Sequence, residues 1–561
     1  MREYPHRREL KTTACIAAIT LIASCLPYAA GMLASSPELQ FGGVLLLHRE
    51  DVLSYLAAMQ QGANGSWTFR ILFTPEEHEG APIYLFYLAL GRIARMLGLP
   101  MAPAYHLARI AAGACELGAI YAFARRFVKS APVRIAAYLL ACAGGGLGWL
   151  IAIAQAMALR YGLPHPGWAP IDFWLVDAYT LPTILLFPHG ALAVAIMLAA
   201  ALSLLNYCQR GRWLIPTTLA ALTLAIVQPI CLGTLAAAAG AHLALLVWTR
   251  KARPRRRELA GAAAVGLTAL AAAAYYRRIF AANPAFSAWQ AQNLTPSPAP
   301  IHWLLGYGVI LPPAAAEGIH ILREKDEGHI FPVAWLLATG VLLYLPHTPQ
   351  RRFAQGLIAP LSCLASMGLA RWLGEEPFHT FLGFSTIASE SRLCPEHNPP
   401  GRWITPRFAL ELVLTLAALS SITLISAHTR QCAGGEAVFH PIEELEAIQW
   451  LGRYSAPGDT VLASPEVGSF IPAYVGRRTF GLHWCETTDP ARKARELAAF
   501  FDPTTPDKWR RSFLERYNIR YLFYGPKERA LGAFDPERAP YLSKCHQQGP
   551  HAVYRVIGER R

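Results

Sequence analysis

Two adjacent carboxylates, Glu50 and Asp51, lie in the stretch LLLHREDVLSYLAAMQQGANG, which begins at Leu45. Like charges side by side repel each other, and this repulsion favours proton uptake by one of the pair. The pair leads an apolar helical run that contains Tyr55. These features suit a general base, which accepts a proton from a reacting group. The alternative is a carboxylate pair that is simply solvated in a loop.

Arginines at two places in the chain could bind an anion. Arg351 and Arg352 lie side by side in YLPHTPQRRFAQG, and guanidinium groups bind phosphate bidentately without losing their charge. Arg109 and His106 lie in the first turns of a predicted helix, where an ionisable group faces the protein interior or a polar cavity. Arg109 could instead extend its side chain to the membrane surface. We therefore predict that Arg351, Arg352 and Arg109 bind a phosphate.

Further polar and aromatic residues in predicted loops are candidates for substrate contact. Asp177 and His189 flank one end of a predicted helix, although a histidine beside a proline is more often structural. Trp289, Gln290 and Asn293 place aromatic and amide groups in one loop, which suits sugars and suits ordinary loop packing equally well. The predicted substrate-binding residues are Tyr55, His78, Asp177, His189, Trp289, Gln290 and Asn293.

The elements that must position these residues are membrane helices. The chain of 561 residues is 53% hydrophobic and 16% charged, with a mean hydropathy of +0.27, which is too apolar for a soluble protein of this length. Several segments run for about 20 residues with few charges, enough to cross a hydrocarbon core of about 30 Å. Thr12–Leu33 is long enough to span, and no clear cleavage site follows it, so we expect a retained first helix.

The loops between the apolar segments set the predicted orientation. Lys and Arg concentrate in the loops that begin at Arg125, Gln209 and Arg250, as the positive-inside rule requires of cytoplasmic loops. The N-terminus is then cytoplasmic and, with an odd number of spans, the C-terminal part is external. The loop with Arg351 is also external, an exception that indicates either an anion site or wrong spans over 329–371. The predicted spans are 12–33, 104–124, 132–154, 181–205, 213–228, 230–249, 258–276, 301–319, 329–346, 355–371 and 407–427.

The first external loop, about 34–103, carries the carboxylate pair. Within it, Tyr84–Leu97 is apolar but only about 14 residues long and contains Arg92 and Arg95, so we predict a helix at the membrane surface and not a span. A later apolar segment must hold two spans that are broken near Pro229, because both of its flanks are basic.

Residues 431–561 differ in character from residues 1–430, which we predict to form the transmembrane domain. They are more charged, and no segment among them could span. Alternating helix and strand patterns indicate a small extracytoplasmic α/β domain. It lacks a Gly-rich phosphate loop and a nucleophile elbow, which favours support or acceptor binding over catalysis there. The predicted helices are 441–454, 489–501 and 505–517, and the predicted strands are 459–465, 519–526 and 552–557.

Charge and cysteine content exclude two other classes of function. The net charge of +14 does not indicate a nucleic-acid partner, because the cations lie in short loops between apolar runs. The 11 cysteines are scattered, with neither a CxxC pair nor a spacing suited to zinc. We therefore predict no cofactor. A divalent metal is left open, although a Glu-Asp pair alone supplies too few ligands to argue for one.

The combination of these features resembles the GT-C class of membrane glycosyltransferases, which includes protein O-mannosyltransferases and aminoarabinose transferases acting on lipid A. The shared features are an acidic pair just after the first helix, a surface helix in the same loop, about eleven spans and an external C-terminal domain. The strings HREDVLSYLAAMQQGANGSW, IYLFYLALGRIARMLG, NPAFSAWQAQNLTPSP and YLPHTPQRRFAQGLIAPL are similar to those of bacterial GT-C-like proteins. The resemblance implies an all-α polytopic membrane bundle with a C-terminal extracytoplasmic α/β domain, in the bacterial inner membrane.

The resemblance also implies a reaction. An inverting glycosyltransferase, of the hexosyltransferase type, would move a sugar from a polyprenyl-phosphate donor to an acceptor hydroxyl of a glycan, lipid or protein at the outer membrane face. In that class a loop-one aspartate is the usual catalytic base, which corresponds here to Asp51, with Glu50 beside it. The order Glu-Asp differs from the Asp-Glu of the mannosyltransferases, so either carboxylate could be the base. The departing phosphate would be stabilised by Arg351 and Arg352.

Two other functions stay open at this point. A polytopic transporter or lipid flippase without chemistry would carry charges deep in several membrane segments and would show internal repeats. The sequence shows no such repeats. The third interpretation is a scaffold that has lost its activity.

Overall fold

The apolar segments fold into helices in the computed structural model, which describes residues 3–165, 167–346, 348–382 and 405–557. Within these residues, eight helices are long and apolar enough to cross a membrane. They are Arg7–Leu33, Met101–Phe127, Ala131–Arg160, Pro188–Arg210, Pro229–Arg250, Arg256–Ala282, Pro300–Glu324 and Pro406–Gly434. Shorter apolar helices are Leu214–Val227, Ile330–Leu342 and Ile358–Leu373. Each predicted span coincides with helix, whereas the number that cross the membrane stays a prediction.

Several predicted spans contain breaks, so the prediction of a continuous helix there was wrong. The spans predicted at 132–154, 181–205 and 301–319 are the helix pairs Ala131–Ala143 and Gly148–Arg160, Thr180–Leu186 and Pro188–Arg210, and Pro300–Tyr307 and Leu311–Glu324. Pro188 lacks the N–H that a continuing helix needs, and Gly308 has a φ of 40°. The break predicted near Pro229 is confirmed, because one helix ends at Val227 and the next begins at Pro229.

The first of these breaks is stabilised by a buried side chain. Asp172 Oδ2 accepts hydrogen bonds from the backbone N–H groups of Gly146 at 3.0 Å and of Gly148 at 3.1 Å. A β-carbon on Gly148 would overlap the Asp172 carboxylate, so only glycine fits beside it. The buried carboxylate therefore replaces the helical hydrogen bonds that are lost at the break.

Contacts within the chain divide it into two compact units. Unit 1 comprises Met1–Leu26, Arg109–Ala273 and Thr295–Ala427, and unit 2 comprises Pro27–Ala108, Ala274–Leu294 and His428–Arg561. By these contacts, the first loop groups with the C-terminal residues and not with the membrane helices that fill unit 1.

Unit 1 packs its helices around an apolar core whose largest side chains include Phe123, Phe127, Phe331 and Trp335. The loops predicted to be cytoplasmic meet at one end of this unit, because Arg126, Gln209 and Arg250 line the same cavity. Thr234 lies near the other end, where its hydroxyl donates to the Phe353 carbonyl at 3.3 Å. Thr234 and Arg250 belong to one helix, so these two ends are about 24 Å apart at 1.5 Å per residue.

In unit 2, the helix Arg49–Ala63, here called the carboxylate helix, packs against the helices Leu85–Met96 and Pro465–Val475. It crosses Leu85–Met96 with direct backbone contact, because a β-carbon on Gly91 would overlap the Met59 carbonyl. The helix predicted over Tyr84–Leu97 is thus confirmed with nearly the same bounds, while its place at the membrane surface stays a prediction.

The C-terminal residues of unit 2 form a mixed sheet. The strands among the described residues are β1 Leu39–Phe41, β2 Phe439–Pro441, β3 Thr460–Leu462, β4 Arg478–Thr479, β5 Ile519–Tyr524, β6 Leu542–Gln548 and β7 His551–Val556. β1 pairs antiparallel with β2, and the other strands form a five-stranded sheet in the order β4-β3-β5-β7-β6. β3 is parallel to β4 and β5, whereas β7 is antiparallel to β5 and β6.

Most C-terminal elements match the predictions. The helices are Ile442–Tyr454, Pro465–Val475, Pro490–Phe501 and Asp507–Arg516, and the predicted strands correspond to β3, β5 and β7. The helix Pro465–Val475 and the strands β2, β4 and β6 were not predicted from the sequence. β4 has only two residues, and β6 is mostly polar and exposed, so neither carries the apolar pattern of a buried strand.

The remaining described elements are short. They are the helices Ile171–Trp174, Pro284–Gln292, Glu376–Phe381 and Pro526–Arg529, and the 3-10 turns Val176–Ala178, Gly308–Ile310, Arg351–Ala354, Glu436–Val438 and Pro536–Arg538.

Candidate active site

The carboxylate pair lies in the first turn of the carboxylate helix. The helix begins at Arg49, after His48 in a left-handed conformation with φ 52°, and a helix N-terminus favours acidic side chains. His48 Nδ1 lies 3.0 Å from Asp51 Oδ2, so the ring N–H can donate to the carboxylate. Both side chains are about one-fifth exposed, at 21% and 22%. Asp51 is therefore oriented by its own helix turn and is still accessible.

Glu50 is held by a different part of unit 2. Its Oε2 accepts the backbone N–H of Trp484 at 3.0 Å. Adjacent residues on a helix point about 100° apart, so the two carboxylates diverge. Such divergence does not suit a glycoside hydrolase, whose two carboxyl groups act on one sugar at a set separation.

The turn that holds Glu50, residues His483–Glu486, is anchored one helical turn further along the carboxylate helix. His483 Nδ1 accepts the backbone N–H groups of Cys485 at 3.3 Å and Glu486 at 3.1 Å. Its Nε2 therefore carries the ring proton and donates to Ser54 Oγ at 3.1 Å. Ser54 and His483 are buried. We call residues His483–Glu486 the anchoring turn.

Glu486 is a buried carboxylic acid that interacts electrostatically with Glu50 and Asp51. It is 3% exposed, and burial raises the pKa of its carboxyl above the ordinary range, with the nearby charges of Asp51 and Glu50 acting in the same direction. A hydrogen bond with Ser54 opposes this pKa shift without reversing it.

The sequence analysis missed Ser54, His483, Trp484 and Glu486. Trp484 and Glu50 are separated by 434 positions in the chain, so no local spacing connects them. The HWCE string could have been noticed for its density of reactive side chains, but nothing in it points to the first loop.

Tyr55 and Trp289 pack inside unit 2 and are not presented to a substrate. Tyr55 is 7% exposed and stacks on Tyr87, with ring centroids 4.4 Å apart and an angle of 9°. Trp289 is also 7% exposed and packs against Tyr84 and Phe280, at 5.8 and 5.5 Å. Ordinary packing, which the sequence left as an alternative for Trp289, describes both residues.

His78 is used within its own loop. Its Nε2 accepts the backbone N–H of Ile71 at 2.9 Å, and its Nδ1 donates to the Glu76 carbonyl at 2.9 Å. Burial lowers the pKa of His78, which keeps the ring neutral. Both ring nitrogens of His78 already make hydrogen bonds within the loop. His78 is therefore better explained as a residue that stabilises the loop than as a substrate contact.

Gln290 and Asn293 lie at the end of the helix Pro284–Gln292. Gln290 is exposed, and Asn293 is half-buried. The neighbouring Gln292, which was not among the predicted site residues, donates from Nε2 to the Cys485 carbonyl at 2.9 Å and to the Thr487 carbonyl at 3.0 Å. This helix therefore supports the anchoring turn, and of the predicted residues Gln290 is the one best placed for an external ligand.

Unit 1 brings Asp177, His189, Arg351 and Arg352 to one end. The 3-10 turn Arg351–Ala354, here called the arginine turn, packs against the turn Val176–Ala178 that carries Asp177. It is followed by Gln355, whose Nε2 donates at 3.2 Å to the carbonyl of Gly190, next to His189. This end is the one opposite to the basic loops.

Arg351 is preorganised within the arginine turn. Its guanidinium carbon lies 4.9 Å from the centroid of the Trp174 ring, a cation–π contact, and its backbone N–H donates to Thr295 at 3.2 Å. Both arginines of the turn are half-buried. An arginine held over an aromatic ring loses less conformational entropy when it binds an anion.

Arg109 does not reach the membrane surface. It is 1% exposed and donates to Ser24 Oγ and to the Ile184 carbonyl, both at 2.9 Å. The interior position allowed by the sequence is therefore observed, and extension to the surface is excluded. These bonds join separate helices of unit 1, so Arg109 is better explained as a structural residue than as a phosphate ligand. Among the described residues, no three His, Cys, Asp or Glu side chains are grouped to hold a metal ion.

No protein-family model and no curated protein matches the sequence, but the fold is similar to that of solved membrane glycosyltransferases. The Archaeoglobus fulgidus oligosaccharyltransferase, solved with a tethered acceptor peptide, has a TM-score of 0.53 at 13% identity, covering 91% of this chain and 69% of that chain. ArnT from Cupriavidus metallidurans, bound to undecaprenyl phosphate, has a TM-score of 0.51 at 14% identity, covering 97% of this chain and 98% of that chain.

The arabinofuranosyltransferase AftD from Mycobacteria gives a TM-score of 0.53 at 17% identity, covering 98% of this chain but only 42% of that chain. At these identities the similarity establishes the fold and not the substrate. The chain therefore has the GT-C fold of membrane glycosyltransferases, as the resemblance of its sequence motifs predicted.

Proposed function

We propose that this protein is an inverting glycosyltransferase that moves a sugar from a polyprenyl-phosphate donor to an acceptor hydroxyl at the outer face of a bacterial inner membrane. The observation that carries the proposal is the oriented and accessible Asp51 at the N-terminus of the carboxylate helix. The GT-C fold supports it, because ArnT was solved with undecaprenyl phosphate and the archaeal oligosaccharyltransferase AglB with a dolichol-phosphate.

In this reaction Asp51 is the general base. The acceptor oxygen forms a bond to the anomeric carbon, the bond from that carbon to the donor phosphate breaks, and the acceptor proton passes to Asp51. His48 orients the carboxylate of Asp51 through Oδ2, and this carboxylate takes the proton. Glu50, fixed by the backbone of Trp484, orients the acceptor or tunes Asp51. No general acid is required, because the leaving phosphate is already a stable anion.

The arginine turn is proposed to bind the donor phosphate. Arg351 and Arg352 supply guanidinium groups that match phosphate oxygens and that keep their charge as the leaving group departs. Asp177 and His189, at the same end of unit 1, are proposed to contact the sugar or its phosphate. The acceptor class and the identity of the sugar are not part of this proposal.

Replacement of Asp51 by Asn tests the proposal most directly. It preserves size and most hydrogen bonding but cannot accept a proton, so transfer should fall by about 10²- to 10⁴-fold, with binding of polyprenyl phosphate little changed. The assay follows transfer of labelled sugar from a polyprenyl-phosphate donor by the purified full-length protein in lipid. Glu50→Gln should reduce transfer less, and Glu77→Gln, which changes an exposed acid of the same loop, should leave it unchanged.

The opposite ranking of Asp51→Asn and Glu50→Gln would make Glu50 the base. Normal transfer by both variants would remove the main support for a catalytic role of the pair. Wild-type protein that binds the donor and moves it across the membrane without transferring sugar would instead support a transporter or flippase.

A further inference from the structure

A basic cavity lies at the end of unit 1 opposite to the arginine turn. Its volume is about 220 Å³, and it is lined by side chains from the ends of several helices, among them Arg126, His242, Arg250, Arg255, Glu258 and Glu327. None of these residues is used in the proposed reaction. The cavity lies among the loops whose Lys and Arg content predicts the cytoplasmic side.

The two carboxylates of the cavity, Glu258 and Glu327, already accept hydrogen bonds from other residues. Arg250 Nη1 donates to Glu258 at 2.7 Å, while its Nε and Nη2 donate to the two oxygens of Glu327 at 2.8 and 2.7 Å. The other oxygen of Glu258 accepts the backbone N–H of Arg255 at 2.8 Å. All three guanidinium nitrogens of Arg250 therefore donate to Glu258 or Glu327, and Arg250 has a structural role.

The remaining cations of the cavity are not neutralised in this way. Neither Arg126 nor the side chain of Arg255 makes an ion pair with a carboxylate in the described part of the chain. Arg210, at the end of the helix Pro188–Arg210, is a further positive charge that acts on Arg126. The cavity therefore carries an excess of positive charge that an anion would offset.

His242 is a buried polar residue in the lining of the same cavity. It is 8% exposed and lines the cavity, and its Nδ1 has no hydrogen-bond partner among the described residues. A buried polar atom without a partner costs free energy, so such atoms are usually satisfied by a ligand or by water. An oxyanion in the cavity would offset the charge of Arg126 and Arg255.

We propose that this cavity binds a phosphate group, and specifically the headgroup phosphate of an anionic lipid in the adjacent leaflet. The cavity is formed by helix ends, where headgroups lie, and the basic loops around it are attracted to anionic lipids. Arg126 and Arg255 offer forked donors for phosphate oxygens. The site is about 24 Å along the helix from the arginine turn, and the proposal does not depend on the proposed transferase activity.

The test measures lipid retention by the purified full-length protein, using native mass spectrometry after exchange into phosphatidylglycerol or phosphatidylcholine. The double variant Arg126→Gln/Arg255→Gln should bind phosphatidylglycerol about tenfold or more weakly than wild type. The matched control Arg253→Gln/Arg256→Gln removes equal charge from exposed positions on either side of Arg255, outside the cavity lining, and should bind as wild type does.

Equal phosphatidylglycerol binding by wild type and the cavity variant would overturn the proposal, and so would an equal loss in both double variants, which would indicate general attraction to basic loops. Displacement of the lipid by millimolar inorganic phosphate, or selective binding of phosphate alone, would assign the cavity to a free phosphate instead. If the cavity variant is unstable, Arg126→Lys serves in its place. Lysine keeps the positive charge but lacks the paired N–H donors of the guanidinium group, so this substitution should still weaken lipid binding. Wild-type affinity of the Arg126→Lys variant would overturn the proposal.

Discussion

Asp51 and Glu50 are adjacent in the chain, but different parts of unit 2 hold them. His48 fixes Asp51 within a single helical turn, whereas the anchoring turn of the C-terminal residues fixes Glu50. A carboxylate that is oriented locally keeps its geometry when distant elements move, which suits the residue that takes the proton. Glu50, by contrast, should respond to any change in the anchoring turn.

Glu486 makes the stability of unit 2 depend on pH. Its folded pKa is raised above the ordinary value of 4.5, so the folded protein holds a proton that the unfolded chain releases. The associated stability is complete below about pH 4.5 and is lost as the pH rises through the folded pKa. Glu486→Gln should remove this loss, so the unfolding temperature of the variant should fall less than that of wild type between pH 4.5 and 8.

The control for this experiment is Glu515→Gln, which changes an exposed glutamate of the same unit. Its unfolding temperature should follow the wild-type pH dependence. Parallel curves for wild type and Glu486→Gln would contradict the assignment of a protonated buried acid.

The arginine turn should contribute to donor binding and little to folding. Replacing Arg351 and Arg352 together by Gln should weaken binding of polyprenyl phosphate by about tenfold or more, because charge-assisted hydrogen bonds to phosphate are lost. Binding can be measured on the purified protein by titration with the lipid phosphate. Arg323→Gln, which changes an exposed arginine in the last turn of the helix Leu311–Glu324, is the control. Unchanged binding by the double variant would place the phosphate elsewhere.

At the scale of elements, the crossing of the carboxylate helix with Leu85–Met96 decides where the acidic pair lies. The two backbones touch at Gly91, so any side chain there must push the helices apart. Gly91→Ala should therefore destabilise unit 2 by about 1–3 kcal/mol and should reduce transfer by displacing Asp51. Chemical unfolding of the purified protein and the transfer assay measure the two effects.

Gly468, in the neighbouring helix Pro465–Val475, provides the matched control for Gly91. A β-carbon at Gly468 would meet no atom within 4 Å, and alanine favours a helix over glycine. Gly468→Ala should therefore leave stability unchanged or raise it slightly. Equal effects of the two substitutions would mean that the close crossing does not position the carboxylate helix.

At the scale of the whole molecule, the orientation of the chain in the membrane can be tested by cysteine accessibility. Residues 351 and 255 lie at opposite ends of unit 1, and the basic loops predict that the end with Arg255 is cytoplasmic. Cysteines introduced at Arg351 and in 431–561 should be labelled by an impermeant reagent from the external side, and one at Arg255 should not. Labelling of positions 351 and 255 from the same side would refute the predicted topology.

The helical membrane class, most helix positions and the acidic pair could be predicted from the residues alone. Apolar length and periodicity are local properties, so the spans, the helix Leu85–Met96 and the break at Pro229 could be predicted from neighbouring residues. The same locality explains the missed breaks, because Gly146 and Gly148 are stabilised by Asp172 from another segment. Edge strand β6 was missed because its exposed residues lack an apolar pattern.

Which of the candidate residues lie close together depends on the tertiary structure. It joined Glu50 to Trp484 and Ser54 to His483 across more than four hundred positions of chain, and it brought Asp177 beside the arginine turn. It also shows that Tyr55, Trp289 and Arg109, which were predicted to bind a ligand, are buried. Tyr55 and Trp289 pack against other aromatic side chains, and Arg109 donates hydrogen bonds to neighbouring helices. Residue type shows what a side chain could do, but its burial and its partners depend on how distant segments pack, which no local pattern in the sequence encodes.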